Sequence, residues 1–438
     1  MNRMIQQHFD AIVVGSGPGG ATVARELTRA RKEVLLLEWG PKPEIKGNFL
    51  QLAAASLKPG KGALFTPEGL AVFRSITTGG SSIAYYATIL DPPYAELKRF
   101  GIDISEEANE IRKELPTAPL AENLIGPFAG RIMESARELG YRWDPLKKFI
   151  YQEKCRPDCD KCVYGCPYGA KWNARMYAEE AMASGASLIN GAKVARVLIE
   201  RGQAVGVEFK KEGKLHQTYA SKIVISAGGI GSPVILRASG IKEAGNNFFF
   251  DPLIGIFGTV KDLKGGREIP MATGIHLEDD GYLMTDLNLP WPLYMAFTGE
   301  VLRFDRLFSH SRALQIMVKA KDPLGGRLTD RGGVRKALLP EDKRRLMHGY
   351  ERAKKILTHA GAKHIFKTWY VAAHPGGTVK IGHLVDSNLR TEFENLYVCD
   401  CSVIPIAWGL PPVFTIVCLA KRLAKHLLRY SRFPIELS

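Results

Sequence analysis

The distribution of apolar and polar positions divides the chain into segments of different period. Residues 10–14 and 34–38 are short, nearly continuous apolar runs, the pattern of strands buried on both faces. Residues 21–30 between them predict a helix, so the opening reads strand, turn, helix, strand: the first βαβ unit of a doubly wound sheet. Residues 101–139 are helical and polar, with Pro116, Pro119 and Pro127 as punctuation. Residues 193–200 and 204–210 alternate around Arg201-Gly202 and predict a β-hairpin, and 223–226 predicts another short buried strand. From about residue 248 to residue 328, extended segments such as 253–260 and 314–320 are separated by Gly and Pro, which predicts an antiparallel sheet in a second domain. A basic helix over 340–360 follows, and βα character returns at 396–398 and 413–428. The fold class expected is α/β, a doubly wound Rossmann-like domain joined to a domain built on an antiparallel sheet.

The length of 438 residues argues for two or three domains. A hydrophobic share of 45% and a charged share of 24% exclude wholesale disorder and fibrous repeats. The net charge of +15 favours an anionic cofactor, an acidic partner, nucleic acid or an anionic membrane surface, and is equally that of a solvated basic surface. The uncharged stretch at 401–420 is broken by Pro405, Gly409, Pro411 and Pro412, so no transmembrane helix is expected. The apolar run at 11–14 leads into glycines without a cleavage site, which predicts an intracellular, cytoplasmic protein. There, seven cysteines are expected as thiols or metal ligands rather than disulfides. Lys421, Arg422, Lys425, Arg429 and Arg432 on the last helix either touch anionic lipid, a peripheral membrane contact, or sit in water while its Leu and Ala face packs inward.

Gly15-Ser16-Gly17-Pro18-Gly19-Gly20 fits G-x-G-x-x-G between a strand and a helix. The glycines let backbone approach a pyrophosphate, to which the helix N-terminus offers amide donors and a positive dipole. Glu38 ends the second strand, where a carboxylate accepts hydrogen bonds from an adenosine ribose. The motif predicts a dinucleotide site and does not separate FAD from NAD.

Further motifs carry a resemblance. Thr78-Gly79-Gly80-Ser81-Ser82 preceded by Arg74, the segment AGGIGSPVILRASGI at 227–241, HPGGTVKIG at 374–382, and VCDCSVIPIAWGLPPVFTI at 398–416 together resemble the glucose-methanol-choline oxidoreductases. Their cholesterol oxidase and long-chain alcohol oxidase branch is the most similar. The resemblance implies FAD as cofactor. It places Gly79 and Gly80 close to the isoalloxazine and pyrophosphate, with Ser81 and Ser82 as local hydrogen-bond groups. It also implies an adenine contact at Val194 and a ribityl or phosphate contact at Asp400. Gly409, Leu410, Pro411 and Pro412 would run along the pyrimidine edge, ahead of a helix whose N-terminal dipole stabilises reduced flavin. His374 would be the catalytic base over flavin N5, since the chemistry needs a group of near-neutral pKa to take a hydroxyl proton. The family's second active-site residue is His or Asn, and here that position is Pro411, which has no side-chain donor or acceptor. Tyr85, Tyr370 or Trp408 are the candidates to complete the site. The implied division is a discontinuous FAD-binding domain (1–95, 168–247 and 366–438), a helical segment with a cysteine-rich loop (96–167) and a substrate domain (248–365).

Cys155-x3-Cys159-x2-Cys162-x3-Cys166-Pro167 is compact and ends, as ferredoxin motifs end, with Cys-Pro. The readings are a [4Fe-4S] cluster, zinc, or thiols or disulfides without metal, and relatives of the long-chain alcohol oxidase type carry a structural Cys- and Gly-rich segment there. A cluster beside flavin would relay electrons to a ferredoxin-like protein or a quinone. The expected function is therefore an FAD-dependent dehydrogenase moving a hydride between a small, apolar, alcohol-type substrate and flavin N5, without a nucleic-acid partner. The alternatives are a non-redox lyase or decarboxylase, a flavin-dependent reductase, or an electron-transfer subunit. Phe248, Phe249, Phe250, Trp291 and Tyr294 are either an apolar pocket or core.

Overall fold

The computed structural model describes residues 8–430, so Arg432 of the basic C-terminal segment lies outside the described residues. Its first sheet contains β1 (His8–Val14), β2 (Val34–Glu38), β3 (Ser187–Asn190), β4 (Lys193–Glu200), β5 (Gln203–Lys211), β6 (Lys214–Ile225) and the short strand Leu396–Val398. β1 lies between β2 and the second half of β6, all parallel, and β3 extends the sheet beyond β2. Ala11, Ile12 and Val13 are fully buried, as the continuous apolar run requires. The first half of β6 carries the antiparallel β4–β5 hairpin, and Leu396–Val398 pairs in parallel with its end. Arg201 and Gly202, at φ 50° and 81°, form the hairpin turn, matching strand twist with two left-handed residues.

Helix Pro18–Arg29 leaves the glycine loop with Pro at its first turn and packs against the C-terminal helix Val413–Tyr430. That helix is held by carboxylates of Ser105–Glu114. Lys421 pairs with Glu114 at 2.8 Å, and Lys425 pairs with Glu106, Glu107 and Glu110 at 2.8, 2.9 and 2.6 Å. Arg422 donates to the Ser387 carbonyl. The cations of these residues are spent on the protein's own acids and carbonyl, which leaves the expected membrane contact without support. No helix among the described residues is long and apolar enough to cross a membrane.

The second sheet centres on β7 (Pro252–Thr259), β8 (Thr273–Leu277), β9 (Tyr282–Asp286) and β10 (Ala313–Ala320), antiparallel in the order β7-β10-β9-β8. Ala63–Phe65, Ala71–Phe73 and Val371–Ala372 extend it beyond β7, so this sheet draws strands from outside residues 248–365. Leu314, Ile316 and Val318 pack with Leu346, Ala353 and Ile356 of helix Pro340–His359. By the period of two, Gln315, Met317 and Lys319 point to the opposite face. Lys319 stands opposite Leu253 in the register, two residues after Asp251. The fold therefore turns a buried lysine and a buried aspartate toward one side of the sheet.

Candidate active site

The first sheet brings its glycine loops together at the carboxyl ends of the parallel strands, where ligands of doubly wound sheets sit. Gly15 has φ +99°, and a Cβ there would overlap the Ser226 carbonyl. Gly19 lies equally close to the Cys399 carbonyl, which also accepts from Ser226 Oγ at 2.6 Å. Gly17 differs: nothing lies within 4 Å of where its Cβ would stand. The loop is thus locked to β6 and the last strand on one side and open at Gly17.

Glu38 is buried, with its carboxyl raised by that burial. It accepts from the amide and hydroxyl of Ser16 at 3.0 and 2.6 Å and from the Gly40 amide at 2.6 Å. Ser16 Oγ in turn accepts from the Gly79 amide at 3.0 Å, tying the Thr78–Ser82 loop to the first glycine loop. Ser81 and Ser82 serve the backbone: Ser81 accepts from the Ser75 amide, and Ser82 donates to the Gly79 carbonyl and accepts from the Ala174 amide. Asp400 caps helix Gly228–Ala238, accepting from the Gly228 amide at 2.8 Å and from Ser232 Oγ at 2.5 Å. Val194 is buried opposite Phe209 in β4 and β5. Gly409, at φ +76°, donates to Asp251 at 2.8 Å, and Leu410, Pro411 and Pro412 are buried ahead of the last helix.

His374 lies in the loop after Val371–Ala372, which is clamped to both domains. Thr378 donates to the Gly229 carbonyl, Gly376 exchanges backbone hydrogen bonds with Phe249, and Gly377 donates to the Cys401 carbonyl. Its Nδ1 is 3.0 Å from Asp251 Oδ2, and its side chain is 28% exposed while that of Asp251 is fully buried. Lys319 Nζ is 3.4 Å from the same Nδ1 and 3.6 Å from the carboxylate. Burial and the Lys319 cation push the imidazole below its ordinary pKa, against the pull of Asp251. Neither Asp251 nor Lys319 belongs to a motif; the signal in the sequence is the recurrence of polar residues at 315 and 319 in an otherwise apolar strand.

Among the candidates to replace the family's second residue, Tyr85 is spent on the Trp172 carbonyl at 2.7 Å. Trp408 is buried with an indole N–H that has no partner among the described residues, and Tyr370 is partly buried against the apolar core. Phe248, Phe249, Phe250 and Tyr294 are core residues, whereas Trp291 is 47% exposed.

The cysteine segment corrects an expectation. No three His, Cys, Asp or Glu side chains among the described residues are grouped to hold a metal ion, so the expected iron–sulfur or zinc site at Cys155, Cys159, Cys162 and Cys166 is not supported. Burial pushes the Cys155 thiol up to about 11 and that of Cys162 to about 12. What organises the segment is Lys171. Its buried ammonium donates to the carbonyls of Ser82, Ile83, Tyr85 and Cys162, and its backbone N–H donates to Cys166 Sγ at 3.4 Å. The expected relay through a cluster loses its ligand set.

The residues fit a dinucleotide: a glycine cradle open at Gly17, with loops 79–80, 228–229, 374–377 and 409–412 arranged around it. Comparison with known proteins agrees. Over 97% of this chain and the whole of the other, the fold matches pyridoxine 4-oxidase from Mesorbium loti, with a TM-score of 0.76 and 17% identity. A formate oxidase from Aspergillus oryzae matches with a TM-score of 0.72 and 15% identity, over 96% of this chain and 98% of that one. An uncharacterised GMC-type oxidoreductase of Mycobacterium tuberculosis is 27% identical over 95% of this chain and 75% of its own length. An uncharacterised protein of Methanocaldococcus jannaschii is 27% identical over 96% of this chain and its own full length. Long-chain-alcohol oxidase FAO3 of Arabidopsis thaliana is 22% identical over 95% of this chain and 68% of its own. Residues 103–255 match the N-terminal and residues 309–420 the C-terminal domain of GMC oxidoreductases, together more than half of the sequence. The chain belongs to the glucose-methanol-choline oxidoreductases, FAD-dependent enzymes that act on alcohol-type groups.

Proposed function

We propose that this chain oxidises the C–OH group of a small, largely apolar molecule, with His374 Nε2 taking the hydroxyl proton as hydride leaves the same carbon. The observation that carries the reading is the partly buried His374 ring, held at Nδ1 by a fully buried carboxylate. Bound FAD supplies the hydride acceptor at N5. Gly15, Ser16, Gly17 and the amides that open helix Pro18–Arg29 would hold its pyrophosphate. Gly79, Gly80, Asp400 and the 409–412 loop would border the rest, with Glu38 toward the ribose and Val194 toward the adenine. His374 would stand on the side of the cofactor nearer the second sheet, where Asp251 and Lys319 lie. An apolar substrate is supported by the likeness to the long-chain-alcohol oxidase of Arabidopsis. The proposal stops at the reduced cofactor, because transfer to a ferredoxin-like carrier or quinone rested on the cysteine ligand set.

Replacing His374 with Ala tests it. The variant keeps its FAD, because the ring does not build the glycine cradle. Anaerobic flavin reduction by an alcohol substrate of the wild-type enzyme slows by about 10² to 10⁴, the usual worth of a positioned base. Unchanged reduction would refute the role of His374.

A further inference from the structure

Behind His374 lies a buried arrangement that the proton transfer itself does not require. Asp251 has φ +47° and is held by its backbone as well as its side chain. Its amide donates to Asp322 Oδ1 at 2.8 Å, and Asp322 pairs with the buried Lys336 at 2.7 Å. Its Oδ1 accepts from the Gly409 amide at 2.8 Å, which leaves Oδ2 for His374. A carboxylate only accepts, so the imidazole donates from Nδ1 and carries its lone pair on Nε2.

Lys319 is the unusual member. Its side chain is 2% exposed, and its polar contacts among the described residues are the long ones, 3.6 Å to Asp251 and 3.4 Å to His374. With Nδ1–H turned to Asp251, the Lys319–His374 approach sets donor against donor, an electrostatic contact and not a hydrogen bond. A buried ammonium with such loose partners is a poor stability device, since its desolvation is only partly offset. Its position is accounted for by its effect on the ring.

We infer that Asp251 and Lys319 are positioning residues for His374: the carboxylate fixes the ring with Nε2 toward the open side, and the ammonium anchors that carboxylate while repelling a second positive charge on the imidazole. This rests on the reading of His374 as the base. It also assigns to two residues outside the family motifs the task of tuning the base in a site where Pro411 supplies no polar group. The other titratable groups around the pair do not compete. The Cys401 thiol is pushed well above its ordinary range by burial and so is neutral, and Asp322 is paired with Lys336. Asp400 is engaged with Gly228, Ser232 and Ser402.

The two residues act on the ring with opposite sign, which a merely structural role would not do. The test is nitrogen-15 NMR of histidine-labelled holoenzyme, with the His374 signals identified by their loss in His374→Gln. In the wild type the neutral ring carries its proton on Nδ1. Lys319→Met raises the His374 titration midpoint by about one unit or more, Asp251→Asn lowers it by a similar amount, and Lys319→Arg restores the wild-type value. A neutral wild-type ring protonated at Nε2 would overturn the proposal without any variant, should Lys319→Met or Asp251→Asn fail to fold. So would shifts of the same sign, or no shift, in the two variants. These spectra decide the pairing whatever the rate of His374→Ala, so failure of one reading is not failure of the other.

Discussion

Gly17→Ala and Gly19→Ala separate binding of the cofactor from construction of the loop that binds it. At Gly19 the new methyl carbon would stand 2.8 Å from Ser226 Oγ and 2.9 Å from the Cys399 carbonyl carbon, and closer still to its oxygen. Both neighbours are anchored to strands, so the helix must move away. Overpacking of this kind costs about 1–3 kcal/mol, and the displaced amides also leave the phosphate. At Gly17 the methyl meets nothing within 4 Å, and the backbone, at φ −68° and ψ −176°, is one that alanine adopts freely. The FAD-free protein with Gly17→Ala should match the wild type within about 0.5 kcal/mol. Only the pyrophosphate is affected, each lost charge-assisted amide contact weakening FAD by about 1.5–3 kcal/mol, roughly ten- to a hundredfold. Urea unfolding of the FAD-free proteins and FAD titration by fluorescence quenching read the two quantities. If Gly17→Ala destabilised the FAD-free fold, or bound FAD as the wild type does, the placing of pyrophosphate over Gly17 would be wrong.

Two further expectations concern stability. Lys425→Met should cost about 1 kcal/mol by denaturant unfolding, less at high salt, because a partly exposed cation at three carboxylates is screened; an unchanged midpoint would show the clamp to be ornamental. Burial pushes the Glu268 carboxyl up to about 7, from an ordinary 4.5. The folded state therefore holds a proton that the unfolded chain releases, and stability falls as pH rises from about 4.5 through 7, by at most about 1.4 kcal/mol per unit from this group. Glu268→Gln should flatten that decline, and an unaltered pH slope would contradict it.

Where local pattern and burial agree, the sequence predicts the structure closely. Residues 34–38 are a strand with the expected limits, because a five-residue apolar run closed by an acid has few other homes. The first helix begins at Pro18 and not at residue 21, since proline without an N–H suits a first turn. The first half of β6 was hidden by its exposed, polar sequence, although Glu212-Gly213, at φ 50° and 84°, repeats the turn chemistry of Arg201-Gly202. Ala63–Phe65 and Ala71–Phe73 are three residues each; they pair with one another, and Ala71–Phe73 joins the sheet through Val371, 300 positions away. Within the site, motifs located the glycine loops and His374. They could not locate Asp251 or Lys319, whose roles come from the register of two antiparallel strands. The cysteine spacing pointed to a metal, and the fold instead ties that segment to the flavin loop through Lys171.

The pairing of Leu396–Val398 with the end of β6, and the contact of Gly19 with the Cys399 carbonyl, carry a consequence for biosynthesis. In synthesis the glycine loop precedes by some 380 residues the wall that holds it in shape. At about 5–20 residues per second this interval is roughly 20 to 80 s. During it β1 and β2 can pair with each other, with β3 and with β6, but the end of β6 lacks its Leu396–Val398 neighbour. FAD capture in the finished cradle therefore follows synthesis of the segment at residues 396–399.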